Sequence, residues 1–292
     1  MSQTRTPGAR QQVLSEGKRH FFESFGYVVL RGWLADDIGW ISDEFDAIFE
    51  RSGVDLAPER RRTMIMPFID HSPRLAALLE HPAIDTALSG LLGADWQYLP
   101  GEGNVFFAGT GWHIDGPPTT LPFIKIAMYL EPVGSGTGTL RFIPASHQRW
   151  IGMPDDPSKV LEAFDMTDDD VPAPIIESRP GDLLVFLHHT YHASSGSQPG
   201  RRMFTINACR PVVGAAAEAD FASYLDRHVK YAMNRSRKLF PDYVLEGLYG
   251  RTLMETASER MRPHLALAER YDPVVADLVQ QYLRSPLEGW HF

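Results

Sequence analysis

One His-x-acid triplet, His113-Ile-Asp115, stands in this chain of 292 residues, and three histidines, His188, His189 and His192, follow it far downstream. Two imidazoles and one carboxylate form the donor set of a facial triad for ferrous iron, which leaves coordination positions open for a cosubstrate and for oxygen. With 11 histidines and 37 acidic residues, chance alone supplies about 1.4 such triplets. The triplet therefore takes its meaning from its surroundings. In an extended strand, residues i and i+2 share a face, so His113 and Asp115 can present a nitrogen and a carboxylate to one ion. Gly109, Gly111 and Gly116 let the backbone bend there, and the third ligand must come from another strand. On spacing alone, a surface turn in a Gly/Pro-rich loop explains the triplet equally well.

The downstream segment runs Arg179-Pro-Gly-Asp-Leu-Leu-Val-Phe-Leu-His-His-Thr-Tyr-His-Ala-Ser-Ser. Gly181-Asp182 is a tight-turn pair that launches an apolar strand over 183–187. Any of the three histidines after it is a candidate ligand, and the others are candidate supporting polar groups. Arg202 opens the next apolar run, 203–209. A guanidinium inside a barrel needs an anionic partner, because a lone buried charge is very costly, and a dicarboxylate is such a partner. The plainer reading of Arg201 and Arg202 is a solvated hairpin after Gln198-Pro-Gly200.

The elements that must position these groups follow from texture. Residues 21–34 read as a strand segment built on Tyr27-Val-Val-Leu30. Asp36 or Asp37 is then a candidate N-cap for an amphipathic helix over 38–49. A second helical stretch covers 74–92, interrupted at Pro82. From 96 to 210, short apolar runs at 96–99, 104–107, 123–130, 139–143, 183–187 and 203–209 alternate with Gly- and Pro-rich connections, the pattern of an antiparallel sandwich or barrel. Helical texture returns after Pro211. The expected organisation is a polar, disordered tail over 1–15, a β domain with N-terminal helices over 16–215, and a helical extension over 216–292 packed on it. That extension is expected to cover the barrel mouth or to form a homodimer contact.

Bulk properties exclude several classes. Net charge is −9, with 28 Lys and Arg against 37 Asp and Glu. The short basic runs Arg60-Arg-Arg62 and Arg235-Ser-Arg-Lys238 read as solvated helix surface. Nothing here resembles the contiguous basic face that nucleic acid requires. No basic cluster adjoins the motifs in sequence. The single cysteine, Cys209, excludes an intrachain disulfide and a cysteine zinc site, and fits a reducing, cytoplasmic setting. No apolar run is long enough to span a membrane.

The ordered set Phe25-Gly-Tyr-Val-Val-Leu-Arg-Gly32, Trp112-His-Ile-Asp115, Thr139-Leu-Arg-Phe-Ile-Pro-Ala-Ser-His147, Gly181-Asp-Leu-Leu-Val-Phe186 and His192-Ala-Ser194 resembles the phytanoyl-CoA dioxygenase family. These are iron(II)/2-oxoglutarate-dependent oxygenases on a double-stranded β-helix, a cupin-like jelly roll, so the resemblance implies an α+β chain with helices flanking that core. It implies His113, Asp115 and His192 as iron ligands, Arg202 as the partner of the far carboxylate of 2-oxoglutarate, and Ser194 as its helper. His192 is preferred over its neighbours by its distance from the Gly-Asp turn. Arg201 remains a rival to Arg202, because the gap from His192 is slightly short. The family's Pro-Gly-Ser-His is Pro144-Ala-Ser-His147 here, and the Asn usual a few residues past the distal histidine is absent near Gly196-Ser197. Related halogenases carry a small residue at the carboxylate position so that halide can bind, and Asp115 argues against that chemistry here.

The implied chemistry consumes O2 and 2-oxoglutarate, releases succinate and carbon dioxide, and oxidises a C–H bond of a small metabolite. Lys125 shares a strand face with Ala127 and Tyr129. If that face is interior, Lys125 contacts 2-oxoglutarate or an anionic substrate; if not, it is solvated. Asn104, Phe106 and Trp150 are candidates to line the pocket, although large aromatics near strands are mostly core. Gly134-Ser-Gly-Thr-Gly138 lacks the Lys and the helix of a phosphate loop and reads as a hairpin. Two other readings stay open: a cupin-like metal enzyme that does not use 2-oxoglutarate, and a jelly-roll binding module without catalysis.

Overall fold

The computed structural model describes residues 12–56, 58–148, 159–163, 165–167 and 170–284; most of the expected tail and the pocket-lining candidate Trp150 lie outside them. The first helix, α1 (Glu16–Phe25), occupies residues expected to begin a strand. Ser15 caps it by accepting from Lys18 N, and Gly26, at φ 81°, ends it with its N–H on Phe22 O. Strand β1 (Tyr27–Leu30) follows, then α2 (Ile38–Ser52). Asp37 precedes α2 without capping it; its carboxylate accepts from Trp40 Nε1 instead. Ile41, Phe45, Ile48 and Phe49 are buried along one face of α2. At about 1.5–3 kcal/mol for each fully buried large apolar side chain, that face holds the helix in place. Within the expected stretch 74–92, Pro82 is a start rather than an interruption. It opens α4 (Pro82–Leu92), while the short α3 (Pro73–Ala76) and a 3₁₀ turn precede it.

Among the described residues, ten strands form two antiparallel sheets. The larger contains β1, β2 (Arg62–Ile65), β3 (Gln97–Leu99), β4 (Gly103–Phe106), β6 (Phe123–Tyr129), β8 (Leu183–Leu187) and β10 (Arg201–Cys209). Its order is β1-β8-β6-β10-β4-β2, with β3 paired to the far end of β10. The smaller sheet, in order β5-β9-β7, is made of β5 (Thr110–His113), β7 (Thr137–Phe142) and β9 (His192–Gly196). Together the two sheets form a jelly-roll core flanked by helices.

The larger sheet is buried on both faces, and side-chain parity sorts its residues. Ile124, Ile126 and Met128 of β6, Leu183, Val185 and Leu187 of β8, and Phe204, Ile206 and Ala208 of β10 join the helices in one core. Ala127 and Tyr129, Leu184 and Phe186, and Met203 point the other way, against Leu140 and Phe142 of the smaller sheet. Asp182 ties the Gly181-Asp turn to the end of β1: it accepts from Gly32 N at 2.7 Å and from Arg31 Nη1 at 2.8 Å.

After the short α5 (Val160–Ala163), the C-terminal helices α6 (Ala215–Leu239), α7 (Arg251–Thr256) and α8 (Leu267–Arg284) join the same apolar core as α2 and the larger sheet. Tyr224 of α6 stacks on Phe123 at the start of β6, with ring centroids 5.0 Å apart. Asp220 accepts from Thr120 N, Thr120 Oγ1 and Leu121 N, which fixes α6 over the loop that follows the His-x-Asp triplet. Among the described residues, no helix is long and apolar enough to cross a membrane.

Candidate active site

His192 opens β9, the middle strand of the smaller sheet, with His113 of β5 directly opposite on one side and Phe142 of β7 on the other. The two imidazoles lie 4.2 Å apart between centroids. Asp115 sits just past β5, and the loop is held by Asp115 N donating to His188 O at 2.7 Å. Ligand atoms of His113, Asp115 and His192 all lie within 4.8 Å of one another.

Hydrogen bonding prepares both imidazoles for an ion. His113 Nδ1 lies 2.8 Å from Gly111 O, and His192 Nδ1 lies 2.9 Å from Thr190 O. A carbonyl can only accept, so each Nδ1 carries the proton and each Nε2 keeps its lone pair. Burial pushes both imidazoles toward the neutral form that binds metal: His113 is lowered, and His192, also lowered by His113, falls to about 3. Burial works against charge on Asp115, but Lys125 and the surrounding imidazoles outweigh it and hold the carboxyl well below the usual carboxylate range. Asp115 Oδ2 is buried, lies 3.1 Å from Lys125 Nζ, and has no hydrogen bond aligned on it. Two neutral nitrogens and an ionised oxygen with unused acceptor capacity fit a divalent first-row ion such as iron(II).

The other histidines are engaged elsewhere. His188 is buried, with Nε2 3.2 Å from Asn207 Oδ1 and its ring stacked on Phe123. His189 packs near His147, whose Nε2 lies 3.0 Å from Glu23 O. Lys125 points into the interior and is only 8% exposed. It bridges Asp115 and Glu102, whose Oε1 is 3.3 Å from Nζ. Burial disfavours the Lys125 ammonium, but the two carboxylates outweigh that and raise its pKa. Glu102 also accepts from Thr205 Oγ1 at 2.9 Å. Sequence reasoning missed Glu102, although an interior Lys125 calls for a second carboxylate. Ser194 shares the face of His192; its Oγ accepts from Thr110 N at 2.7 Å and keeps its own proton to donate.

The arginine expected at the cosubstrate is placed differently. Arg202 points away from the interior: its Nε donates to Glu131 Oε1 and its Nη1 to Asp46 Oδ2, both at 2.6 Å. Those two carboxylates already satisfy it. Arg201, one residue earlier and so on the opposite face of β10, is 1% exposed and lies over Phe106 and Tyr129, 4.8 and 5.8 Å from their centroids. Its Nη1 donates to Thr137 O at 3.0 Å, while Nε and Nη2 are buried without hydrogen-bond partners. A Cβ at Gly138 would collide with this guanidinium, and Gly138 takes φ 87° beside it. Asn104 lies on the same strand face as Phe106, fully buried, and both polar atoms of its amide lack partners. The interior thus offers unused donors as well as a metal-ready triad.

Comparison with known proteins agrees with this geometry. The model of the phytanoyl-CoA dioxygenase (PhyH) family matches residues 22–203. A search of curated proteins finds no sequence match. Among solved structures, the non-heme alpha-ketoglutarate-dependent carbocyclase SnoK of nogalamycin biosynthesis superposes with TM-score 0.53 at 17% identity, covering 68% of this chain and 84% of that one. HygX from Streptomyces hygroscopicus, with nickel and 2-oxoglutarate bound, gives TM-score 0.55 at 15% identity, covering 70% and 90%. EctD from S. alaskensis, with bound Fe, gives TM-score 0.55 at 18% identity, covering 70% and 80%. At these identities the likeness establishes the fold.

Proposed function

Because the chain belongs to the phytanoyl-CoA dioxygenase family, whose members are iron(II)/2-oxoglutarate-dependent oxygenases, we propose that it oxidises a C–H bond of a small metabolite at the His113–Asp115–His192 centre. The observation that carries this reading is the convergence of one ligand atom from each of His113, Asp115 and His192 within 4.8 Å, with both Nδ1 atoms tied to backbone carbonyls. Bound iron(II) with 2-oxoglutarate supplies oxidative decarboxylation to succinate and carbon dioxide, coupled through O2 to oxidation of the substrate.

The chain's own residues supply position, charge and dryness. His113, Asp115 and His192 are the ligands, and their backbone hydrogen bonds and the Lys125 ion pair fix their orientation. Arg201, rather than Arg202, anchors the distal carboxylate of 2-oxoglutarate. Its two partnerless nitrogens can form a paired contact with a carboxylate, whereas Arg202 is already paired with Glu131 and Asp46 on the opposite face of β10. Ser194 keeps a hydroxyl proton for the same carboxylate. Lys125 stays with Asp115 and Glu102, so its role is to hold the carboxylate ligand ionised rather than to bind the cosubstrate. Phe142 and Phe186, with ring centroids 6.0 and 4.8 Å from His192, exclude water beside the triad.

Turnover of 2-oxoglutarate tests this function. Iron-loaded protein in air is expected to release succinate slowly alone and faster with a productive small molecule, and Asp115→Ala is expected to abolish both. No 2-oxoglutarate consumption by folded, iron-loaded protein would overturn the proposal.

A further inference from the structure

The two basic runs, far apart in sequence, come together in the fold beside the strand that carries His113. Arg60, Arg61 and Arg62 meet Arg235 and Lys238 of α6 in a cleft of about 560 Å³. Arg62 is in β2, so the first run is not helix surface. The cleft's remaining lining includes Phe106, Thr110 and Gly111, and no carboxylate. Among the described residues none of the five cations makes an ion pair. Arg61 donates to Gly109 O at 2.8 Å, Arg62 donates to Tyr231 Oη at 2.6 Å, and Arg235 lies over the Tyr231 ring at 5.5 Å. In a chain of net charge −9, five uncompensated cations in one concavity mark a place built for negative charge.

The cleft adjoins the metal centre through shared residues. Thr110 and Gly111 belong to β5, the strand that delivers His113, and Gly111 O is the partner of His113 Nδ1. Phe106 has the cleft on one side and the interior Arg201 against its ring, while Arg62 lies 5.6 Å from the same ring. The positive field of Arg62 reaches the centre, where it acts on Asp115 and Glu102.

We propose that this cleft binds a phosphoryl group carried by the substrate, holding the anionic end at the barrel rim while the carbon to be oxidised lies toward the triad. Four arginines and a lysine suit a phosphoryl dianion better than a single carboxylate, because guanidinium forks match several oxygens at once. Small polyanions also fit the enclosed volume, whereas nucleic acid needs a longer basic track. The proposal deepens the oxygenase reading and rests on it for the fate of the substrate, but the binding itself requires no metal.

The test is a calorimetric titration of the full-length, metal-free protein with phenyl phosphate at fixed ionic strength, with benzoate and a single-stranded oligonucleotide as comparisons. The expected result is saturable one-to-one binding of phenyl phosphate, at least tenfold tighter than benzoate. The paired surface change Arg235→Ala with Lys238→Ala is expected to weaken it tenfold or more, and His192→Ala to leave it unchanged. The proposal is overturned by any of these: no saturable binding, benzoate binding as tightly, no effect of the Arg235/Lys238 pair, loss in His192→Ala, or tighter binding of the oligonucleotide. Phenyl phosphate binding without 2-oxoglutarate turnover would instead sink the oxygenase reading alone.

Discussion

Replacing Arg201 by methionine separates the two adjacent arginines, whose side chains occupy opposite faces of β10. Arg201 is buried with Nε and Nη2 unpartnered, so its desolvation is uncompensated until a carboxylate arrives. Removing it costs one hydrogen bond to Thr137 O and relieves an unpaired buried charge. Cosubstrate-free Arg201→Met is therefore expected to match the parent in stability to within about 1 kcal/mol. Its affinity for 2-oxoglutarate should fall by about 3 kcal/mol, roughly a hundredfold in Kd, the worth of a charge-assisted paired contact. Thermal unfolding of metal-loaded protein reads both quantities. At a concentration of 100 Kd, 2-oxoglutarate stabilises the parent by about 2.7 kcal/mol, and the same concentration should stabilise the variant by only about 0.4 kcal/mol. Arg202→Ala gives up partly exposed ion pairs with Glu131 and Asp46, so it should cost about 0.5–1 kcal/mol of stability and leave 2-oxoglutarate affinity unchanged. Loss of 2-oxoglutarate affinity in Arg202→Ala with retention in Arg201→Met would refute the assignment.

Three further outcomes are expected. Lys125→Met strands the Glu102 and Asp115 carboxylates in the interior and should destabilise by about 3 kcal/mol in urea unfolding, with partial recovery when Glu102→Gln is added. Ala145 takes φ 63°, in the left-handed region where a Cβ is unfavourable, in the turn whose N–H donates to Phe25 O; Ala145→Gly should raise stability by about 0.5–1 kcal/mol in the same assay. Burial lifts the Asp70 carboxyl from 3.8 to about 6, against the opposing bonds from Tyr98 Oη and Gly250 N. A raised folded value means the native state holds the proton more tightly, so Asp70 favours folding below its unfolded pKa and loses that contribution as pH rises through 6. Stability should grow by about 0.8 kcal/mol from pH 7.5 to 5.5 relative to Asp70→Asn, measured by denaturant titration.

Much of this organisation is legible in the residues, and the gaps have physical causes. The strand expected over 183–187 matches β8, because a run buried on both faces is uniformly apolar. Strands β5 and β9 escape detection because Thr-Gly-Trp-His and His-Ala-Ser-Ser-Gly carry ligands and polar groups where apolar alternation would announce a strand. Phe21 and Phe25 mimic a strand, yet Ser15 and Gly26 bracket a helix there. The Arg201/Arg202 choice turns on parity: Phe204, Ile206 and Ala208 pack against the helices, so Arg202 shares their face and Arg201 shares that of Thr205 and Asn207. Glu102 and the basic cleft have no local signature, since their partners come from distant strands and from α6.

The measurement that bears most directly on the whole account is anaerobic addition of iron(II) and 2-oxoglutarate to the metal-free protein, followed by visible absorption. A charge-transfer band that requires both additions, persists in Arg202→Ala and vanishes in His192→Ala is the expected result. A folded, iron-loaded protein that shows no band, or a band that survives His192→Ala, would contradict the assignment of His113, Asp115 and His192 as the iron ligands of a 2-oxoglutarate-dependent oxygenase.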